Sequence, residues 1–201
     1  MISPTYFVIG LISLPIVKAL FRLQARGMEN LPAGGFVLAA NHTSNFDPWP
    51  LGLPLFPKRQ LRFMAKSELF NPVLAPILRT GGAFPVRRGE GDLEAMETAV
   101  GLVRSGEIVV MFPEGTRQSK GLRKKFQPRA HTGAARIALQ ADAPLVPAAI
   151  RGTDRLRRLG PLRVVYGAPL ELGDLGGNER DAARVATDRL MRAIGDLKAS
   201  L

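Results

Sequence analysis

His42 stands five residues before Asp47 in the stretch NHTSNFD, from Asn41 to Asp47, and is one of only two histidines in the chain. An imidazole with an unperturbed pKa of about 6.5 accepts protons near neutral pH, and a neighbouring carboxylate fixes its tautomer and raises its basicity. This is the core of a general-base site. The same residues admit a plainer reading, in which His42 packs against a sheet and Asp47, followed by Pro48, opens a helix as its N-cap. Spacing alone leaves both open.

Two later loops carry further polar residues. Arg87 and Arg88 follow an apolar run ending at Val86, while Pro113, Glu114, Gly115, Thr116 and Arg117 follow one ending at Phe112. A guanidinium offers a planar fork of donors suited to phosphate, and Gly115 lets the backbone approach a ligand closely, so both loops suggest an anion site. Read singly, the two arginines are equally a solvated strand end, and Glu114 to Arg117 a tight turn with an internal ion pair.

The elements that must position these residues are legible from the apolar pattern. Phe36 to Ala40, Leu61 to Ala65, Ala83 to Val86, Ile108 to Phe112, Leu145 to Ile150 and Arg163 to Tyr166 read as buried strands, several too continuous for a sheet with one wet face. Leu93, Met96, Val100 and Val103 mark a helix that Asp92 caps and Gly106 ends, Gly133 to Gln140 reads as another, and Leu190, Ile194, Leu197 and Leu201 mark a closing helix. The alternation predicts a single α/β domain, residues 27–201, with a largely parallel sheet flanked by helices on both faces. Ligands of such folds gather at the carboxyl ends of strands, where the loops after Ala40, Val86 and Phe112 fall.

Composition narrows the partners. The formal net charge of +11, from 28 Lys and Arg against 17 Asp and Glu, predicts an anionic one: nucleic acid, membrane headgroups or a phosphorylated small molecule. The absence of cysteine excludes disulfides, thiolate metal sites and a cysteine nucleophile, and two histidines do not make a zinc site. No GxSxG elbow is present, so a serine nucleophile of that kind is not expected. Nucleic-acid binding finds support only in the charge, because aromatic residues are 6% and no RRM signature, zinc finger or basic recognition helix occurs.

The N-terminal segment, residues 1–26, is apolar without the pattern of a signal peptide, and its uninterrupted part from Tyr6 to Val17 falls short of the roughly 20 residues that cross a bilayer. Pro15 is expected to bend or break it. Lys18, Arg22 and Arg26 recur at four-residue spacing, the pattern of a helix lying in a membrane interface. A helix docked on the core is the other reading.

Order, spacing and surrounding strands together resemble the glycerolipid acyltransferase family that includes the 1-acyl-sn-glycerol-3-phosphate acyltransferases. NHTSNFD fits its first motif, NHxSxxD; GAFPVRR from Gly82 to Arg88 looks like its second, FPEGTR from Phe112 to Arg117 its third, and LVPAAI from Leu145 to Ile150 its fourth. The resemblance covers Leu31 to Arg151. It implies that His42 is the general base and Asp47 the residue that holds it, that Arg88, Glu114, Gly115, Thr116 and Arg117 bind the acceptor, that Lys66 faces the phosphate, and that Pro147 is structural. His131 is expected to be an exposed polar residue without a catalytic role.

The implied activity is transfer of a fatty acyl group from acyl-CoA or acyl carrier protein, as co-substrate and without any other cofactor or metal, to the sn-2 hydroxyl of lysophosphatidate. The product would be phosphatidic acid. Glycerol 3-phosphate or another lysolipid hydroxyl is the alternative acceptor, and a membrane-surface binding module without catalysis is the non-enzymatic alternative. A membrane-bound acceptor also implies an anionic membrane surface as partner, with monotopic or peripheral attachment at the cytoplasmic face.

Overall fold

The computed structural model describes residues 4–86, 92–115 and 130–201. In chain order the strands are β1 (Gln24–Arg26), β2 (Phe36–Ala40), β3 (Leu61–Lys66), β4 (Ala83–Val86), β5 (Ile108–Met111), β6 (Leu145–Arg151) and β7 (Arg163–Tyr166). The helices are α1 (Pro4–Phe21), α2 (Pro48–Gly52), α3 (Leu74–Thr80), α4 (Asp92–Arg104), α5 (Gly133–Ala141) and α6 (Glu179–Ala199). All strands join one sheet in the order β1-β7-β6-β2-β5-β3-β4.

Strand β2 is buried throughout and lies at the centre, parallel to β5 on one side and β6 on the other. Its side chains alternate between two cores. Val37 and Ala39 join Val109 and Leu145 against Ala99 and Val103 of α4, Ile137 of α5 and Leu190 of α6. Phe36, Leu38 and Ala40 face the other way, with Ile108, Val146 and Tyr166, onto Leu51 of α2. Helices thus cover both faces, as the continuous apolar runs require.

Strands β2 to β6 run parallel and end at one edge, where the loops carrying His42 and Glu114 follow. Strand β7 runs antiparallel to β6, so its first residue, Arg163, returns to this edge opposite Arg151. Pro147 lies inside β6, where a missing N–H would normally break a ladder. Its carbonyl accepts from Gly167 just past the end of β7, so the absent donor falls where pairing with β7 stops.

Several expectations are corrected. Helix α1 continues through Pro15, because the N–H that proline lacks would have bonded Leu11, on the exposed side of the helix where carbonyls open to the surroundings. The helix ends at Phe21, Arg22 turns to a positive φ of 47°, and Arg26 lies in β1, so Lys18, Arg22 and Arg26 share no helical face. Leu93 of α4 is exposed, whereas Val100 and Val103 are buried. Helix α6 begins at Glu179, well before Leu190, since Ala182, Ala183 and Ala186 also face the core.

One side of α1 docks on the domain and the other does not. Val17 is fully buried with Leu53 and Leu162, and a Cβ on Gly10 would meet the Phe56 ring at 2.4 Å, so that residue must be small. The 18-residue helix has a mean hydropathy of 1.7 and the length to cross a membrane, yet only 11% of it is buried.

Candidate active site

The dyad is assembled by the turn between β2 and α2. His42 Nδ1 lies 2.8 Å from Asp47 Oδ2, and the same oxygen accepts the backbone N–H groups of Thr43 at 2.7 Å and Ser44 at 2.9 Å. Asp47 stands at the N-cap position of α2, but its side chain makes no cap hydrogen bond. It turns back into the loop that precedes it. The carboxylate thus pairs with His42 while its main chain opens α2.

Asp47 is fully buried, and its second oxygen accepts from the Thr153 hydroxyl at 2.5 Å. Burial pushes the carboxyl pKa up, but the hydrogen bonds from His42, Ser44, Thr153 and Thr43 together outweigh it and hold the pKa below the usual carboxylate value. An ionised Asp47 fixes the proton of His42 on Nδ1 and leaves Nε2 with its lone pair for chemistry. The imidazole keeps 17% exposure and stacks on the Phe112 ring, 4.2 Å between centroids with the planes 20° apart.

Strand β5 delivers the opposite wall. Phe112 leaves the ladder one residue after Met111, and Glu114 Oε2 accepts the backbone N–H of His42 at 3.2 Å. Burial raises the Glu114 pKa, with the hydrogen bond from His42 and the charges of Lys198 and His42 opposing it and Asp47 adding to it. Gly115 has φ of 68°, and any Cβ there would lie 2.3 Å from the His131 ring, so both conformation and space demand glycine. His131 itself is exposed and donates its backbone N–H to Pro113 at 2.8 Å.

Of the residues singled out from sequence, the structure brings together His42, Asp47, Glu114 and Gly115. Lys66 is the exposed last residue of β3 at the same sheet edge, two strands along from β2. Arg88, Thr116 and Arg117, with Arg87, lie outside the described residues. Two supports went unread. Asn41 is buried and pairs its side-chain amide with the backbone of Ile150, 3.0 Å to the carbonyl and 2.8 Å from the N–H, which pins the loop to β6. Thr153 sits 106 residues from Asp47, bonding it and also Thr43 Oγ1 at 2.8 Å.

Thr153→Val keeps the shape of the side chain and removes the donor. Stability is expected to fall by about 1.5–3 kcal/mol, the usual worth of a hydrogen bond to a charged group. Turnover should drop about 10- to 100-fold through a loosened imidazole, with Thr153→Ser restoring it. Thermal denaturation and kcat measured on both variants check this, and an unchanged kcat in Thr153→Val would make the residue purely structural.

Residues 22–151 match the family model described as Acyltransferase. The chain is 38% identical over 181 residues to the 1-acyl-sn-glycerol-3-phosphate acyltransferase of Bacillus subtilis, covering 86% of each chain. It is 30% identical over 163 residues to the protein of the same name from Streptococcus pneumoniae, covering 76% of this chain and 58% of that one. Its fold matches the crystal structure of the 1-acyl-sn-glycerophosphate acyltransferase of Thermotoga maritima with a TM-score of 0.67 at 23% identity, over 96% of this chain and 78% of the other. The family match and the relatives therefore define an acyl-transferring enzyme. The chain belongs to the acyltransferase family.

Proposed function

We propose that the protein transfers an acyl group from acyl-CoA or acyl carrier protein to the sn-2 hydroxyl of 1-acylglycerol 3-phosphate, giving phosphatidic acid. The observation that carries this reading is the His42–Asp47 pair, whose engaged Nδ1 leaves Nε2 as the base. Nε2 takes the hydroxyl proton as the oxygen attacks the thioester carbonyl. The new C–O bond gives a tetrahedral intermediate, the C–S bond breaks as it collapses, and the imidazolium returns its proton to the departing thiolate. Sulfur, oxygen and proton balance without an acyl-enzyme.

Arg88, Arg117 and Lys66 hold the acceptor phosphate in this scheme, and Gly115 and Thr116 bind the acceptor with them. Glu114 belongs to the same acceptor side and also secures the main chain of His42. The apolar outer side of α1 attaches the protein to the cytoplasmic face of an anionic membrane, monotopically, because its inner side stays docked on the domain.

The test is product formation from each thioester donor against lysophosphatidate, glycerol 3-phosphate and other lysolipids. Phosphatidic acid from lysophosphatidate is the expected main product, and acylation of glycerol 3-phosphate in its place would overturn the acceptor assignment. Arg88→Ala or Arg117→Ala should raise the acceptor KM about 10- to 150-fold, since a charge-assisted contact contributes about 1.5–3 kcal/mol. Unchanged KM in both would remove these arginines from the phosphate site.

A further inference from the structure

The segment joining β6 to β7 forms a cleft of about 380 Å³ apart from the reacting groups. Arg151, Arg155, Arg158 and Arg163 line it, with Asp154 as the one acidic side chain. Asp154 lies 3.3 Å from Arg155 in an exposed pair, and Arg163 donates to the backbone oxygen of Leu201 at 2.7 Å. Four arginines against one aspartate leave a surplus of positive charge around the cleft. Planar donor forks of this kind suit a phosphate.

The place of the cleft in the fold says which phosphate. Leu156 and Leu162, interleaved with the arginines, pack on Val17, Leu14 and Phe21 of α1, and the Leu162 N–H donates to the Phe21 carbonyl at 2.9 Å. The cleft therefore abuts the carboxyl end of α1. Along that helix Phe7, Ile9, Leu11, Ile12, Ile16 and Leu20 are each 45–59% exposed, a run of outward apolar side chains of the kind that marks a membrane or partner surface. Leu159, at the tip of the intervening turn with φ of 47°, is itself 50% exposed beside Arg158. Apolar side chains that face outward beside arginines are the pattern of a surface seated in the headgroup layer, the hydrocarbon taking the first and lipid phosphates the second.

We propose that the arginine cleft binds the phosphate of an anionic phospholipid headgroup and thereby orients the domain on the membrane. This rests on the reading that α1 attaches to a bilayer. Bound this way, the edge of the sheet that carries Arg151 faces the lipid, and His42 stands on that same edge, at the end of the neighbouring strand. Gly152, in the cleft wall, directly precedes Thr153, the residue that holds Asp47.

The test uses the full chain and vesicle flotation at fixed salt, with phosphatidylcholine alone or mixed with phosphatidylglycerol. Arg155→Gln/Arg158→Gln should float with neutral vesicles like wild type but lose about thirtyfold in affinity for the mixed ones, the factor that two basic residues close to an anionic leaflet carry. Arg180→Gln/Arg184→Gln, the same charge change at exposed positions of α6 on the opposite face of the sheet, should leave both unchanged. Wild-type affinity of the cleft variant for mixed vesicles overturns the proposal, and so does an equal loss in the α6 variant, which would mean diffuse charge. A raised KM for the acyl donor in detergent, with vesicle binding intact, would reassign the cleft to the phosphorylated carrier. Failure of wild type to float with neutral vesicles would instead overturn attachment through α1, while the gain on adding phosphatidylglycerol still reads the cleft separately.

Discussion

His42→Ala is expected to lower kcat by about three orders of magnitude or more, the scale seen when one member of an interdependent catalytic set is removed. A lipid hydroxyl is a poor nucleophile until its proton is taken, and the proposed mechanism has no second base to take it. The substitution should leave the loop standing, because its other ties are independent of the imidazole. Glu114 bonds the backbone N–H of residue 42, Asn41 pairs with Ile150, and Asp47 keeps the N–H groups of Thr43 and Ser44. The acceptor KM should change little. A folded His42→Ala protein with near wild-type turnover would remove His42 from the base role.

Asp47→Asn carries the second largest effect, and the geometry says what kind. Three N–H donors converge on Oδ2, while Oδ1 meets only hydroxyls, which can reverse and accept. The amide oxygen of asparagine will therefore occupy the Oδ2 place and its NH2 the Oδ1 place. Nδ1 keeps its acceptor and the tautomer survives; the charge that stabilises the imidazolium does not. Turnover should fall about 100- to 1,000-fold, short of the roughly 10,000-fold that accompanies a wrong tautomer in a comparable triad. Stability supplies an independent readout. Because the folded pKa of Asp47 is lowered, its contribution is fully present above the unfolded value of about 3.9 and is lost as pH falls through the folded value. Denaturation of wild type and Asp47→Asn should accordingly differ at neutral pH and converge in strong acid. A constant difference down to that range would show that folding does not lower the Asp47 pKa.

What the sequence revealed and what it hid divide along physical lines. Strands β2, β5 and β6 announce themselves because burial on both faces demands unbroken apolar runs, and the dyad does so because its partners are five residues apart. Strand β1 has three residues, none buried, and joins the sheet only by pairing with β7, which no local pattern encodes. The span of α1 across Pro15 is likewise a matter of which side of the helix faces outward. Thr153 stayed hidden for a related reason: its partner Asp47 is brought to it only when β6 lies beside β2, and a threonine after Gly152 carries no mark of its own. Asn41 was in view within NHTSNFD, but its role is to extend the pairing of β2 with β6 through a side chain, which becomes visible only with the register in hand.

In the proposed mechanism His42 moves a proton and never carries the acyl group. Intact mass and peptide mapping of the wild-type protein after incubation with the acyl thioester alone test it directly. Unmodified protein is expected, with the acyl group found only on lipid once lysophosphatidate is added. An acyl adduct on His42 that disappears as the acceptor is consumed would contradict it, and would make the imidazole the nucleophile.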